Sequence, residues 1–325
     1  MASQKWCICI ILSLFVSSFS SVSAARIVVD PWAHGGFRTV QAAIDSVPSG
    51  NTKWTTIAIK KGTYWEQVII PRDKPYIILK GAGSKNTFIL WNGHGAINET
   101  AAFTSKADNT LATGISFVNT CNFPPKSNTK PMAAAVAARI QGDKSVFYRC
   151  GFFGLQDTLW DVQGKHYYKD CTIHGAVDFI FGAAQSLYED CTISVAAGVL
   201  NGPGFITAQG REHPNDRSGF VFTNCNIVGD GKVYLGRPWR EYARVLFYNT
   251  QMSDIIVPQG WDAWKSAGQE NQLTLSEYNC RGPGSTNSRR VRWAKKLSAK
   301  VANKLATITF IDNRGWVKQA FKHLN

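Results

Sequence analysis

Three related runs indicate the fold of this chain: SVFYRCGF (residues 145–152), HYYKDCTI (residues 166–173) and SLYEDCTI (residues 186–193). Each has a short run of aromatic or β-branched residues, a polar corner, and a second short run. Further copies occur at FVFTNCNI (residues 220–227) and VLFYNTQM (residues 245–252). Repeats of 20-odd residues built from short strands are typical of solenoids, in which each coil buries its face against the next. The pattern therefore predicts a β-solenoid.

The cysteines of these runs give the period of the predicted coil. Cys150, Cys171 and Cys191 follow one another at 21 and 20 residues, and Cys225 follows after 34, which indicates an inserted loop around residues 201–218. The alternative architecture is a β-sandwich, whose strands recur about every 8–12 residues. The solenoid is favoured because two aspartates further along the chain repeat at the same spacing as two of these cysteines.

These aspartates are Asp157, in GLQDT (residues 154–158), and Asp178, in VDFIFG (residues 177–182). They are 21 residues apart, and each follows its cysteine by seven residues. Stacked strands lie roughly 4.8 Å apart, so a coil of this period brings the two carboxyl groups into one site. Two carboxyl groups that close do not both ionise easily, and one is expected to keep its proton. The pair therefore predicts a nucleophile and a general acid.

The N-terminal 24 residues have the pattern of a secretory signal peptide. Lys5 provides a positive start, residues 7–19 are apolar, and Val22-Ser23-Ala24 supplies small residues for cleavage. The apolar run is too short to span a bilayer. No linker or low-complexity run divides the remainder, so we expect residues 25–325 to form one secreted domain with no membrane anchor.

Cysteine and motif content narrow the function classes. Removal of the signal leaves six of the eight cysteines, and in an oxidising compartment some of them should pair. The sequence has no CxxC or HxxxH spacing, no P-loop and no dinucleotide fingerprint, so we predict neither a metal site nor a cofactor. The absence of a GxSxG elbow leaves a serine esterase of the α/β-hydrolase type unsupported. Asn98-Glu99-Thr100 is a glycosylation sequon and predicts a glycoprotein.

Net charge indicates the type of partner. The formal charge is +14, and loss of Lys5 with the signal leaves +13. A basic secreted protein is expected to bind a polyanion. Nucleic acid fits poorly because no nucleic-acid-binding module is recognisable, whereas an acidic polysaccharide fits the compartment. The densest basic stretch, residues 289–296, has the alternative interpretation of a solvated face.

From roughly Ile27 to Val317, the sequence resembles the plant pectinesterase (pectin methylesterase) family. The matching segments, in the family's order and spacing, are QAA (41–43), GTYWE (62–66), GLQDT (154–158), DFIFG (178–182), GFITAQGR (204–211), LGRPW (235–239) and PQGW (258–261). The resemblance implies an all-β, right-handed parallel β-helix. It also implies the type that lacks an N-terminal inhibitor-like pro-region, since family sequence begins almost directly after the signal. Gln41–Val47 is an amphipathic pattern and predicts a short helix that caps the solenoid's open end.

The resemblance also implies a reaction, a partner and a location. The activity would be hydrolysis of the C6 methyl esters of pectin (methyl-esterified homogalacturonan) to pectate and methanol, in modification of the plant cell wall. The expected protein is a monomer of the apoplast that needs no cofactor. A proteinaceous pectinesterase inhibitor is a further expected partner.

Roles for individual residues follow from the resemblance. Asp178 resembles the nucleophile that forms an acyl-enzyme, and Asp157 the acid that protonates the leaving methoxide and later activates water. Gln156 resembles the amide donor to the oxyanion. Arg237 resembles the cation that orients Asp178 and contacts substrate, with an ordinary surface ion pair as the alternative. Trp239 resembles a platform for a sugar ring, with buried packing as the alternative.

Ala134 departs from the family pattern. The family usually has a second glutamine five residues before an arginine, and alignment of that arginine with Arg139 places Ala134 there. Loss of one oxyanion donor typically costs about 10²–10³ in rate. A second hypothesis is therefore a pectin-binding wall protein with little or no turnover. A third is a β-helix glycosidase or lyase acting on the pectin backbone, although no acidic cluster suggests the calcium ligands of a lyase.

Overall fold

The computed structural model describes residues 26–32, 35–123 and 132–324. Within these residues the chain winds into a right-handed parallel β-helix, and the 25 strands form three sheets whose pairings are all parallel. The predicted fold class is confirmed. The predicted signal peptide lies outside the described residues.

Each complete coil contributes one strand to each sheet, and the strands are numbered β1 to β25 in chain order. The ten-stranded sheet contains β1 (Arg26–Val29), β2 (Thr55–Ile59), β5 (Ile77–Lys80), β8 (Thr110–Thr113), β11 (Ser145–Tyr148), β14 (Lys165–Lys169), β17 (Gln185–Glu189), β20 (Gly219–Thr223), β23 (Arg244–Tyr248) and β25 (Thr274–Tyr278). The eight-stranded sheet contains β3 (Gly62–Trp65), β6 (Thr87–Trp91), β9 (Ser116–Asn119), β12 (Gly151–Phe153), β15 (Thr172–Gly175), β18 (Thr192–Ala196), β21 (Asn226–Asp230) and β24 (Gln251–Met252). The seven-stranded sheet contains β4 (Val68–Ile70), β7 (Phe103–Ser105), β10 (Ala138–Ile140), β13 (Leu159–Asp161), β16 (Val177–Gly182), β19 (Gly204–Gln209) and β22 (Val233–Pro238).

The repeated runs form a ladder of aromatic rings inside the coil. The third residue of each run points into the core, and the successive ring centroids lie 5.1, 4.6, 4.5 and 4.5 Å apart. The rings belong to Phe147, Tyr168, Tyr188, Phe222 and Phe247. Stacked aromatic pairs contribute about 0.5–1.5 kcal/mol each beyond their burial. Each copy of the sequence repeat therefore contributes one ring to a stack that runs perpendicular to the strands.

The polar corner of each run is a residue in the left-handed backbone region. Such residues end successive strands of the ten-stranded sheet with φ between 50° and 54°: Arg149, Asp170, Asp190, Asn224, Asn249 and Asn279. Asn and Asp tolerate this conformation better than most side chains because their short polar groups bond locally. The residue after the corner is usually cysteine, and all six described cysteines carry free thiols. The expectation that some of them form disulfides is therefore wrong for this structure.

A short helix, α1 (Val40–Asp45), packs at the end of the coil where β1 and β2 lie. It begins one residue earlier and ends two residues earlier than the predicted Gln41–Val47. Val40, Ala43, Ile44 and Val47 are all buried, as the amphipathic pattern predicts. The Glu66 carboxylate accepts hydrogen bonds from the backbone N–H groups of Val40 and Gln41 at 2.7 and 2.9 Å. The first turn of the helix is thereby fixed to the coil beneath it.

The C-terminal segment covers the outer face of the ten-stranded sheet with α2 (Ala299–Leu305) and α3 (Trp316–Phe321). Short 3₁₀ turns complete the described chain: Ile97–Glu99, Ala197–Val199, Trp264–Ser266, Glu270–Gln272, Pro283–Ser285, Asn287–Arg289 and Ile308–Phe310. In the described part of the chain, none of the helices has the length and apolar character needed to cross a membrane.

Candidate active site

The two aspartates lie on adjacent coils of the seven-stranded sheet. Gln156 forms a parallel bridge with Val177, and the backbone N–H of Asp157 donates to the Val177 carbonyl at 3.1 Å. The next residue on each strand is an aspartate, so Asp157 and Asp178 are stacked as the 21-residue spacing predicts. Both have left-handed backbones, with φ of 61° and 48°. Such conformations in non-glycine residues are strained and persist where the surrounding structure holds them.

A bulge in β16 sets the direction of Asp178. The pairing of β16 with β19 shifts between Val177 and Ile180, so that Asp178 and Phe179 together face one residue of the neighbouring strand. Bulges of this kind bend a strand and redirect a side chain. The Phe179 ring turns into the core, where a Cβ on Gly175 would lie 2.2 Å from the Cβ of Phe179. Gly175 therefore leaves the space that the bulge requires.

Arg237 holds Asp178 through a two-point contact. Its Nε donates to Asp178 Oδ1 at 2.9 Å, and its Nη2 donates to Oδ2 at 2.7 Å. The two side chains are 18% and 11% exposed. A planar guanidinium with two parallel bonds fixes both the charge and the orientation of a carboxylate. The surface ion pair weighed as an alternative does not describe this contact, because both groups are largely shielded from water.

The guanidinium of Arg237 is itself held between two aromatic rings. Its central carbon lies 3.9 Å from the centroid of Phe205 on β19 and 4.1 Å from that of Trp264 in the 3₁₀ turn Trp264–Ser266. Contacts of this type are worth about 0.5–2 kcal/mol each. Sequence reasoning assigned no role to either ring. Phe205 lies within the family-like segment GFITAQGR, whereas Trp264 had no recognisable signal.

The environment separates the acidities of the two aspartates. Burial, and then the charge of Asp178, raise the pKa of Asp157 to about 7, although Arg237 opposes the shift. Burial also raises the pKa of Asp178, but the hydrogen bonds and charge of Arg237 act against it. Arg237 bonds directly to Asp178, so we assign the ionised form to Asp178 and the protonated form to Asp157. Two carboxyl groups with separated pKa values can provide a nucleophile and an acid.

Gln156 and Ala134 lie on neighbouring coils beside this pair. Gln156 is half-buried, and its carbonyl accepts a hydrogen bond from the backbone N–H of Ala135 at 3.2 Å. Ala134 is also half-buried and directly precedes that bonded residue. A methyl side chain donates no hydrogen bond, so Ala134 supplies no side-chain donor here.

A row of side chains continues from the aspartates along the face of the seven-stranded sheet, and we call it the groove row: Arg139, Trp160, Phe181 and Trp239. The guanidinium of Arg139 lies 4.7 Å from the centroid of Trp160, the Trp160 and Phe181 rings stack at 5.3 Å, and Phe181 meets Trp239 edge-on at 6.0 Å. Trp239 is half-buried and lies against Gly210, where a Cβ would come within 2.8 Å of its ring. The ring therefore packs on one side and remains partly accessible on the other.

The described residues contain no group of three or more His, Cys, Asp or Glu side chains that could hold a metal ion.

The sequence and the fold of this chain are similar to those of known pectinesterases. The pectinesterase family model matches residues 26–314. "Probable pectinesterase 29" from Arabidopsis thaliana is 50% identical over 297 residues, covering 90% of this chain and 89% of that protein. The pectin methylesterase from carrot is 30% identical with a TM-score of 0.86, covering 93% of this chain and 97% of that one. An Aspergillus niger pectin methylesterase is 31% identical with a TM-score of 0.78, covering 92% and 97%.

These comparisons show the class of protein: a carboxylic ester hydrolase built on a β-helix. The chain belongs to the pectinesterase family.

Proposed function

We propose that this protein hydrolyses the C6 methyl esters of homogalacturonan to pectate and methanol in the plant cell wall. The proposal rests on the different environments of the two aspartates. Arg237 holds Asp178 by two hydrogen bonds, while Asp157 has a pKa raised to about 7. A structure described as a pectin methylesterase in complex with a hexasaccharide is 25% identical to this chain, with a TM-score of 0.76. It supports an oligosaccharide-binding groove here.

The first half of the reaction forms an acyl-enzyme. The Asp178 carboxylate attacks the C6 carbonyl carbon, and the electron pair of the C=O bond moves to oxygen. The Gln156 amide donates to that developing oxyanion. The carbonyl then re-forms, the C–O bond to the methoxy group breaks, and Asp157 gives its proton to the leaving oxygen. Methanol departs, and an acid anhydride joins the galacturonate to Asp178.

The second half releases pectate. Asp157, now ionised, takes a proton from water as the water oxygen attacks the C6 carbonyl. The bond between C6 and the Asp178 oxygen breaks, and Asp178 returns to its carboxylate form beside Arg237. Asp157 is again protonated, so each cycle consumes one ester and one water.

Arg237 makes Asp178 a good leaving group as well as an oriented nucleophile. It stabilises the carboxylate both before attack and after release, at 2.7–2.9 Å. The adjacent groove row offers an aromatic surface for sugar rings, and we assign Trp239 to that surface. We also assign Arg237 a contact with the bound ester.

Ala134 favours a second candidate, a pectin-binding wall protein with little turnover. The position lacks the side-chain donor that the family usually supplies, which leaves one amide at the oxyanion. We rank hydrolysis first because the two hydrogen bonds from Arg237 to Asp178 and the raised pKa of Asp157 support the roles proposed for these residues.

Several expectations stay predictions: a signal peptide at 1–24, one domain at 25–325, secretion to the apoplast as a monomer, and a glycan on Asn98. Asn98 is exposed, whereas Thr100 of its sequon is buried and bonded to Val136 N–H at 3.1 Å. Recognition by a proteinaceous pectinesterase inhibitor also stays a prediction.

The test is methanol release from highly methylated pectin by residues 25–325. We expect turnover by the wild type and a loss of at least 10³-fold in Asp178→Asn, since the near-isosteric amide cannot attack. Asp254→Asn, an exposed carboxylate elsewhere, serves as the matched control and should behave as wild type. Turnover by Asp178→Asn within tenfold of wild type would remove Asp178 from the nucleophile role. A folded wild type that binds pectin without releasing methanol would establish the binding-protein hypothesis instead.

A further inference from the structure

Two loops meet beside Trp239, at one end of the groove row. The first loop (residues 210–218) joins β19 to β20, and the second loop (residues 239–243) joins β22 to β23 and begins with Trp239. They follow β19 and β22, which are neighbours in the seven-stranded sheet. Gly210 of the first loop lies against the Trp239 ring. The position of this ring therefore depends on how the two loops are fixed to each other.

One guanidinium joins the two loops. Arg211 belongs to the first loop and is only 4% exposed. Within that loop its Nε donates to the Asp216 carbonyl at 3.0 Å, and its Nη2 donates to the Pro214 carbonyl. Its Nη1 crosses to the second loop and donates to the Tyr242 carbonyl at 3.1 Å, while the Tyr242 N–H donates to the Arg211 carbonyl at 3.1 Å. A single buried side chain therefore holds both loops.

The partners of Arg211 explain why the residue is an arginine. In the part of the chain that the structure describes, every hydrogen bond donated by this side chain ends on a backbone carbonyl. Burial of a cation costs free energy unless polar groups replace the lost water, and here the carbonyls do so. A guanidinium presents its N–H groups in a fixed planar fork, whereas the ammonium of lysine is a compact point charge. Arg211 therefore fixes the path of the main chain.

A second contact between the same loops is exposed. Arg240 Nε donates to Glu212 Oε1 at 3.1 Å, and these side chains are 44% and 59% exposed. The Arg240 guanidinium also lies 4.9 Å from the centroid of the Trp239 ring. Exposed ion pairs contribute little to holding a structure. The buried contact of Arg211 is therefore the stronger constraint on the second loop.

We propose that Arg211 is a positioning residue for substrate binding, which fixes the second loop to the first and so holds the Trp239 ring where a sugar ring can stack. The proposal rests on the proposed function, which assigns Trp239 to the sugar-binding surface. A stacked ring contacts the sugar before and during the reaction, so misplacing it removes binding that the ground state and the transition state share. Such a loss raises KM and leaves kcat nearly unchanged.

The experiment is a double-mutant cycle between Arg211 and Trp239, measured as methanol release from highly methylated pectin. Arg211→Lys keeps the charge and most of the aliphatic stem but loses the fork that reaches both loops. We expect it to raise KM about fivefold, with kcat within about twofold of the wild type. In a Trp239→Ala background the same change should raise KM by less than about twofold, because the ring that Arg211 positions is gone.

Arg244→Lys is the matched control. Arg244 is half-buried, and its Nη1 donates to the carbonyls of Arg217 and Ser218 at 3.2 Å, at the far end of the first loop. Among the described residues its side chain forms no hydrogen bond with the second loop, so this variant should keep the wild-type KM. Thermal unfolding of each variant reports the effect on the fold. A merely structural role for Arg211 would lower the unfolding temperature without coupling to Trp239 in KM.

Hydrogen exchange of the wild type adds a measurement that needs no variant. Residues 239–243 should exchange as slowly as the flanking strands β22 and β23, because the second loop is held at both ends. Rapid exchange of this loop would overturn the proposal. An equal rise in KM with and without the Trp239 ring, or a rise in Arg244→Lys as large as that in Arg211→Lys, would overturn it as well.

A binding measurement separates this proposal from the proposed reaction. Calorimetric titration with demethylated oligogalacturonate should give a Kd about fivefold weaker for Arg211→Lys than for Arg244→Lys, whether or not methanol is released. Absence of methanol release in the wild type would overturn the proposed reaction alone. The same cycle with Trp239→Ala, read as Kd, would then still test Arg211, and equal Kd values for the two lysine variants would overturn its role.

Discussion

At the scale of single residues, the protonation of Asp157 bears on both the proposed reaction and the stability of the folded protein. Its folded pKa of about 7 is raised from 3.8 by burial and by Asp178. A raised folded pKa means that the native state binds this proton more tightly than the unfolded chain does. The resulting stability is fully present below about pH 4 and is lost as the pH rises to 7. Above pH 7 both neighbouring carboxyl groups of the wild type are therefore charged, which lowers its free energy of unfolding.

Asp157→Asn should remove this dependence. The amide stays neutral, so we expect the variant to be more stable than wild type by about 2–4 kcal/mol at pH 8 and nearly equal at pH 4. Urea unfolding at the two pH values measures the difference, with Asp254→Asn as the control. The same stability difference at both pH values would show that Asp157 does not titrate as proposed.

Ala134 offers a gain-of-function prediction. If it occupies the position of a missing oxyanion donor, Ala134→Gln should raise kcat with little change in KM, because an oxyanion donor acts mainly in the transition state. The upper limit is the roughly 10²–10³-fold effect of one donor. Methanol release under saturating pectin measures it. Ala133→Gln, at the exposed neighbouring position, should give no gain. A folded Ala134→Gln without any increase would argue that another group already fills the role.

At the scale of elements, three separate segments hold one guanidinium. The strand β22 carries Arg237, β19 supplies Phe205, and the 3₁₀ turn Trp264–Ser266 supplies Trp264. The turn follows β24 and lies outside the regular strands, yet Trp264 covers one face of the Arg237 guanidinium. Residues from the strands and from a loop between coils therefore act together to hold the Arg237 guanidinium.

Trp264→Ala should loosen Arg237 without removing it. We expect kcat to fall about tenfold, since a less fixed guanidinium holds Asp178 less well. The acidic limb of the kcat/KM profile should also move to higher pH, because Arg237 opposes the rise in the pKa of Asp178. Trp264→Phe keeps a ring and should recover most of the activity. The control is Trp65→Ala, which truncates a tryptophan that is 63% exposed on the eight-stranded sheet. A lower kcat with an unshifted pH profile would contradict a positioning role.

At the scale of the whole molecule, the charge of +13 that remains without Lys5 is expected to govern encounter with pectate. The basic stretch 289–296 is mixed in character. The Arg290 side chain is 7% exposed and donates to Glu277 at 2.8 Å, whereas Arg289, Arg292, Lys295 and Lys296 are exposed. Only the exposed cations can contribute to binding a polyanion.

Binding to demethylated polygalacturonate should weaken steeply with salt. The screening length falls to about 10 Å at 0.1 M ionic strength, so attraction between exposed charges is lost early. Retention on a pectate column at increasing NaCl measures the effect, and a column of highly methylated pectin serves as the weakly charged control. Retention that does not respond to salt on either column would contradict an electrostatic partner.

The periodicity of the sequence by itself determined which residues lie side by side on adjacent coils. The runs predicted coils that stack face to face, and the structure shows their rings as a ladder from Phe147 to Phe247. The polar corners of the runs lie where the strands of the ten-stranded sheet end. The spacing of Asp157 and Asp178 predicted that they would stack, because a fixed coil length places equivalent residues side by side. The buried face of α1 followed from its amphipathic pattern. The roles of the site residues came from family resemblance and still await their experiments.

Tertiary structure alone decided the contacts that cross several coils or come from irregular segments. Loops of unequal length, such as the one between Cys191 and Cys225, break the register, so the position of Trp264 against Arg237 could not be counted from sequence. The bulge at Asp178 depends on the space left at Gly175. Local periodicity encodes adjacent strands, whereas the charge balance and orientation of a site depend on everything packed around it.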